Sequence, residues 1–353
     1  LRRDLADRAD GTPSRKADHV RINLERDVAA KGISSGFNEY RLVNCALPEL
    51  DLNDVDTSTT LFGRTLSAPI LISCMTGGTP EAAQINRVLA RVAQEQRLAM
   101  GLGSARALIE HPHLLDTFEV RSLAPDVLLF ANLGAVQLNK GYGVDECRKL
   151  VQMLQADALV LHLNAIQEAL QPEGDTCFRG LLQKIGSVCE QLDAPVIVKE
   201  VGWGIAPDAV QALFDAGVAA VDLAGAGGTS WSEVERHRIE EQWRANAAAA
   251  FAGWGIPTAE CLRAARRVQP HGLLVASGGM RSGLDVVKAI ALGADLAGIA
   301  GPFLRAAARG YEAATDLARE LREVLRVAMF GLGERTLADL RATTRILHYT
   351  QEL

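Results

Sequence analysis

A chain of 353 residues, 48% hydrophobic and 23% charged, is long enough to bury a large core and reads as a soluble globular protein. Its net charge of -6 argues against a nucleic-acid partner, because a phosphate backbone selects a basic face that this composition does not supply. Six cysteines without a Cys-x-x-Cys pair and seven dispersed histidines suggest neither zinc nor a disulfide framework, and a cytoplasmic location is the simplest expectation. No apolar run approaches the roughly 18 residues of a membrane span, the charged N-terminus lacks a signal-peptide core, and a start at Leu1 reads as a trimmed or tagged chain.

Residues 1 to 31 are dense in both charge signs. A helix there puts Arg15 and His19, or Lys16 and His19, on neighbouring turns, which makes either a movable anion clamp or a solvated helix face. Residues 32 to 67, with several glycines and Pro48, read as an irregular lead-in with short strands. From Ala68 a rhythm of short apolar run, polar or glycine-rich turn and longer helical pattern repeats eight times. The runs are Pro69 to Ile72, Leu98 to Met100, Val127 to Phe130, Ala158 to Leu161, Val196 to Val198, Ala220-Val221, Leu273 to Ala276 and Ala297 to Ala300. Alternating βα units require a parallel sheet, and eight of them predict a closed (β/α)8 TIM barrel, an α/β fold, with a doubly wound open sheet as the alternative. The stretch from Trp231 to Ile256, rich in Glu, Arg and Ala, reads as extra helix, as do residues 311 to 341. The expected organisation is a single domain: lead-in 1–67, barrel 68–310, C-terminal helices 311–353.

Barrel active sites sit at the C-terminal strand ends, so the residues after each run are the informative ones. His162-Leu163-Asn164-Ala165-Ile166-Gln167-Glu168, with the loop signal Gln171-Pro172-Glu173-Gly174-Asp175 behind it, brings an imidazole, amides and carboxylates to the end of the fourth run. The other ends are Met75-Thr76-Gly77-Gly78, Gly103-Ser104-Ala105-Arg106, Asn132-Leu133-Gly134, Lys199-Glu200, Asp222 leading to Gly227-Gly228-Thr229, Ser277 to Arg281, and Gly301. Glycines there let backbone N–H groups approach an anion. The last two strands are where barrels commonly build a phosphate site. Lys199 projects a cation into the mouth, which costs desolvation unless it meets an anion or polar ligand.

These strand ends, in this order and together with Arg15-Lys16 and His19, resemble the type 2 isopentenyl diphosphate isomerases, flavin-dependent barrel enzymes of isoprenoid synthesis. The resemblance covers most of the chain. Glycine loops of this kind occur in many flavin barrels, whereas the combination of the heptapeptide, Gln-Pro-Glu-Gly-Asp and the N-terminal Arg-Lys is specific. The resemblance implies that FMN contacts Cys74, Met75, Thr76, Ser104, Asn132, Lys199 and Thr229, with its phosphate on Gly279, Met280, Arg281, Ala300 and Gly301. It implies that the substrate diphosphate meets Arg15, Lys16, His19, Ser104, Ala105, Arg106 and His162, under an N-terminal segment that closes over it. Asn164 and Gln167 would lie near the hydrocarbon, and Glu168 would hold Mg²⁺. Met280 departs from the branched aliphatic common there, but that position would contribute only its backbone N–H.

His162, Asn164 and Gln167 are the candidate catalytic side chains. Because Gln167 has no useful pKa and Glu168 suits a hard metal, the resemblance implies that reduced FMN moves the protons. Lys199 would stabilise the anionic reduced flavin, and NADPH would serve only to reduce it. A homo-oligomer, tetramer or octamer, is implied as well. A 2-hydroxy-acid oxidase would need a His and Arg pair after the seventh run, and an inosine monophosphate dehydrogenase a cysteine in the 227–231 loop; the chain has neither. A non-catalytic phosphate-binding barrel stands as the third reading.

Overall fold

Eight short strands, each apolar on both faces, pair side by side in parallel until the last meets the first. The computed structural model describes residues 11–352; residues 1–10 of the charged N-terminal stretch lie outside them. In chain order the elements are α1 (Gly11–Glu25), β1 (Tyr40–Leu42), β2 (Thr59–Leu61), β3 (Arg64–Leu66), β4 (Ile70–Ile72), α2 (Pro80–Gln96), β5 (Ala99–Gly101) and α3 (Arg106–Glu110). There follow β6 (Leu129–Gly134), α4 (Val144–Leu154), β7 (Ala158–His162), α5 (Ala165–Leu170), α6 (Leu181–Gln191), β8 (Val196–Lys199), α7 (Pro207–Asp215) and β9 (Ala220–Asp222). The chain continues with α8 (Trp231–Arg236), α9 (Gln242–Ala249), α10 (Thr258–Val268), β10 (Leu273–Ser277), α11 (Gly283–Ala291), β11 (Leu296–Ile299) and α12 (Gly301–Arg309). It ends with α13 (Tyr311–Leu332), α14 (Leu337–Ala342) and β12 (Ile346–His348). Strands β4 to β11 close in the order β10-β11-β4-β5-β6-β7-β8-β9, all parallel. All eight apolar runs are therefore barrel strands. No helix among the described residues is long and apolar enough to cross a membrane.

Successive strand side chains alternate between faces, so every second residue points into the barrel. Leu71, Ala99, Phe130, Ala158, Val160, Ile197, Ala220, Val275 and Leu296 make a buried apolar cluster there, joined from below by Leu61 and Leu66 of the antiparallel β2–β3 hairpin. That hairpin closes the N-terminal end. One inward step further along the same strands the residue types change to Ser73, Asn132, His162, Lys199, Asp222 and Ser277, a polar ring above an apolar plug. The opposite strand faces pack on the surrounding helices.

Two buttresses repeat across the barrel. Arg121 donates through Nη1 to the carbonyls of Ala124, Pro125 and Val127, and through Nη2 to Gln155 O and to Asp157 Oδ2 at 2.8 Å. Asp157 Oδ2 also accepts from Leu129 N. Arg266 does the same with the carbonyls of Gln269, Pro270, Gly272 and Gly293 and with Asp295 Oδ2, which accepts from Leu274 N. The first ties β6 to β7, the second β10 to β11.

Two features depart from the expected layout. Gln167 and Glu168 lie on a helical turn, α5, that starts as soon as Asn164 is passed. The C-terminal region is also not all helix, because β12 returns to pair with β1, Tyr40 opposite His348.

Candidate active site

The polar ring is the floor of a cavity of about 490 Å³ that opens at the C-terminal ends of the strands. Strand register sets the ring. Gly134 pairs with His162, His162 with Lys199 and Lys199 with Asp222, so these residues stand level around the mouth. Lys199 Nζ lies 3.1 Å from Asp222 Oδ2, and Ser277 Oγ donates to Asp222 Oδ1 at 2.5 Å. His162 Nδ1 donates to Asn132 Oδ1 at 2.8 Å. Burial, then the charges of Lys199, Lys16 and Arg106, push His162 down to about 4, so the imidazole is neutral near pH 7. The Ser73 hydroxyl, 1% exposed on the cavity floor, has no hydrogen-bond partner in the protein.

One wall is a glycine cradle. Gly278 and Gly279 have φ of +101° and +72°, and a methyl on either would collide with the carbonyls of Gly225 and Gly227. The packed loops thus leave bare backbone facing the cavity, beside Ala300 and Gly301 at the start of α12, where unpaired N–H groups favour an anion. The side chain of Met280 is buried in the core, so that residue can offer only backbone. Arg281 differs from its neighbours in this wall. Its N–H is given to Asp285 Oδ2, leaving the guanidinium as its means of meeting an anion.

The other wall is cationic. Helix α1 crosses the mouth, held by Ile22 and Val28 against Val234 and Trp231 and by backbone bonds from Ala30 to Gly228 and from Ser230 to Val28. It brings Arg15, Lys16 and His19 to the cavity, facing Ser104 and Arg106. Lys16 Nζ donates to Ser104 O at 2.8 Å and lies over the Phe118 ring. Burial, reinforced by Arg15 and Arg106 and opposed by Glu110, lowers Lys16 to about 7.

Between the walls the residues of the heptapeptide are tightly bonded. Glu168 Oε1 accepts from Asn164 Nδ2 at 2.8 Å, and its Oε2 accepts from Gln171 Nε2 and Asp175 N, each at 2.6 Å. Asn164 Oδ1 is buried without a partner in the protein. Gln167 Oε1 accepts from Asn164, and its Nε2 donates to Glu235 Oε1 at 3.0 Å.

Glu235 had no role assigned from the sequence, and it is a hub of the site. Fully buried on α8, it meets His19 at 3.0 Å, Gln167, and Arg238, which bridges on to Glu173. Burial raises its pKa, but His19, Gln167 and Arg238 outweigh that and bring it to about 2. Its sequence signal was only the i,i+3 spacing of Glu235 and Arg238 within a charged excursion. The Asp222 and Ser277 bracket around Lys199 went equally unassigned.

Cys74, Met75, Thr76, Thr229 and the other expected site residues line this same cavity, with one exception. The Ala105 side chain is fully buried in the core and its N–H is given to Asn132 O, so it does not line the mouth.

The FMN-dependent dehydrogenase family profile matches residues 9–110 and 147–347. Among solved structures, a lactate oxidase from Pediococcus acidilactici superposes with a TM-score of 0.66 over 94% of this chain and 86% of its own, at 17% identity. A mutant flavocytochrome b2 with pyruvate bound gives 0.69 over 93% and 82%, at 18% identity. At such identities these two show the shared barrel alone. The isopentenyl-diphosphate delta-isomerase of Nostoc sp. is 53% identical over 94% of this chain and 94% of its own. That of Synechocystis sp. is 52% identical over 94% and 95%, and that of Rickettsia bellii 47% over 95% and 98%. With the barrel, the glycine cradle and the cationic wall at one mouth, these matches over nearly the whole length mean that the chain belongs to the FMN-dependent dehydrogenase family and, within it, to the isopentenyl-diphosphate delta-isomerases.

Proposed function

We propose that the chain interconverts isopentenyl and dimethylallyl diphosphate, adding a proton at the terminal alkene carbon and removing one from C2, with FMN and Mg²⁺ bound and NADPH used only to reduce the flavin. One observation carries this reading: a single cavity has an anion-binding wall on each side, glycine cradle opposite cation cluster, with Lys199 on the floor between them. One wall suits the phosphate of FMN and the other the substrate diphosphate. The donors fit FMN, since Ser73 Oγ lacks a protein partner and the glycines of the cradle leave backbone open to a ring-bearing phosphate ester. Cys74, Met75, Thr76, Ser104, Asn132, Lys199 and Thr229 would hold the ring, and Gly279, Met280, Arg281, Ala300 and Gly301 the phosphate. Reduced FMN, when bound, supplies at its N5 region a group able to give and take a proton near neutrality.

The protein's own groups do the rest. Arg15, Lys16, His19, Ser104, Arg106 and His162 bind and orient the diphosphate, and α1 excludes water by crossing the mouth. Diphosphate beside His162 favours the imidazolium, so binding draws a proton onto a ring that is neutral without it. Gln167, its amide orientation fixed by Glu235 and Asn164, positions the alkene. Its neighbour Glu168, a hard carboxylate donor, would hold Mg²⁺, and Asn164 Oδ1 is a second hard oxygen left without a partner in the protein. Among the described residues no group of three or more His, Cys, Asp or Glu could hold a metal. A site of so few protein ligands suits a cation shared with substrate phosphates. A homo-oligomeric, cytoplasmic enzyme completes the proposal.

The test is proton NMR of isopentenyl diphosphate in D₂O with reduced FMN and Mg²⁺. Deuterium at C2 and C4 of the recovered isomers is expected. Tight FMN binding without any exchange would favour a non-catalytic barrel.

A further inference from the structure

A bare lysine against the flavin would hold reduced FMN as its anion, and Lys199 is not bare. Asp222, its register partner on the adjoining strand, brings Oδ2 to 3.1 Å of Nζ. Ser277 Oγ bonds the other carboxylate oxygen and sits 3.3 Å from the same Nζ. Lys199 is 8% exposed and Asp222 2%, so solvent screens neither. We propose that Asp222 is a charge-compensating positioning residue, fixing Lys199 toward the cofactor while offsetting its charge, so that reduced flavin keeps the N1 proton a lone lysine would release to solvent. The proposal rests on the reading that this cavity holds FMN.

The groups around Lys199 leave that task to Asp222. Cys74, from the loop after β4, stays a thiol, because burial raises it to about 11 despite the pull of Lys199. On the other flank His162 is neutral, as described. Glu200 turns its Oε2 into the backbone N–H groups of Val201, Gly202 and Trp203. Asp222 is the one carboxylate in ion-pair contact with Lys199 among the described residues. A carboxylate oxygen 3.1 Å from Nζ cancels part of the ammonium's potential at a group that touches Lys199, and more of it at greater distance. Reduced FMN would carry its N5–H in either form; keeping the N1 proton as well would leave the ring neutral and make N5–H the stronger acid toward an alkene.

The test is a pH titration of the anaerobically reduced holoenzyme, read from the absorbance of the bound flavin rather than from turnover. Asp222→Asn, which keeps the hydrogen bond from Ser277, should lower the midpoint by about one to two units. Lys199→Met should raise it, and the double variant should return toward the wild type. Should Asp222→Asn leave Lys199 unpaired and fail to fold, the double variant, which removes both buried charges, supplies the comparison with Lys199→Met. An Asp222→Asn midpoint within about 0.2 unit of wild type, or Lys199→Met and the double variant titrating together, overturns the proposal. A wild-type chain that takes up no FMN overturns the reading beneath it, whereas bound FMN with an unmoved midpoint overturns the proposal alone.

Discussion

Lys16 enters the mouth with a carbonyl and an aromatic ring for company rather than a carboxylate, and this makes its charge conditional. Lowered to about 7 by burial and by Arg15 and Arg106, it is cationic below that pH and neutral above it. The cation is the form that binds a diphosphate, and the bound dianion raises its pKa in the complex. KM should therefore gain an extra rise of up to tenfold per unit above about pH 7, added to the slope that proton uptake at His162 gives below it. Lys16→Arg should remove that inflection, because guanidinium stays charged; a KM that ignores pH in the native enzyme would exclude the mechanism. At Glu168, substitution by Gln keeps the shape and removes the charge a hard cation needs. Turnover should fall by about two decades or more with Mg²⁺ present while FMN absorbance is retained. Glu168 was legible in the sequence as chemistry at a strand end, and Lys16 as part of either an anion clamp or a solvated helix face. Their environments were not, because Ser104, Phe118 and Glu110 lie far along the chain from Lys16, and spacing says nothing of such partners.

Among the elements, α1 and α8 form the roof, and their join is Glu235. Replacing it with Ala leaves Arg238 with one carboxylate partner fewer in a largely buried setting and frees both His19 and Gln167. Breaking a buried pair from one side costs about 3 to 5 kcal/mol, so urea unfolding should show a loss of that order. A loss under about 1 kcal/mol would mean that the roof does not depend on this hub. The elements whose signal is local were readable. Eight apolar runs became eight strands, although β6 runs on to Gly134 and carries Asn132 as an inward strand residue rather than a loop residue. Elements whose signal is nonlocal were not readable. The pairing of Tyr40–Leu42 with Ile346–His348 joins two short, half-exposed segments whose own patterns specify no partner. The helical turn at Ala165–Leu170 forms where Asn164 and Glu168 bond each other across one turn, and it stops at Gln171, just before the breaker residues Pro172 and Gly174.

At the level of the whole molecule, composition and rhythm gave the barrel, but not why it opens at one end only. The β2–β3 hairpin closes the base with Leu61 and Leu66, from a region that read as an irregular lead-in with short strands but without a place in the barrel. The two arginine buttresses were likewise overlooked, since the offset that carries Arg121 onto Arg266 differs from the one that carries Asp157 onto Asp295. Together they divide the barrel into two matching sets of four strands, β4 to β7 and β8 to β11. A break in the loop between α6 and β8, after Asp193, leaves one buttress in each half. The two fragments, co-expressed, should associate and take up FMN, as seen by co-purification of a yellow heterodimer; fragments that never meet would count against two self-sufficient halves. The pairing also has a rotational side. The offset between the arginines also lays Gly134 on Gly279, and the offset between the aspartates lays His162 on Ala300. The two positions of each pair then stand at the ends of strands four places apart, half a revolution around the barrel.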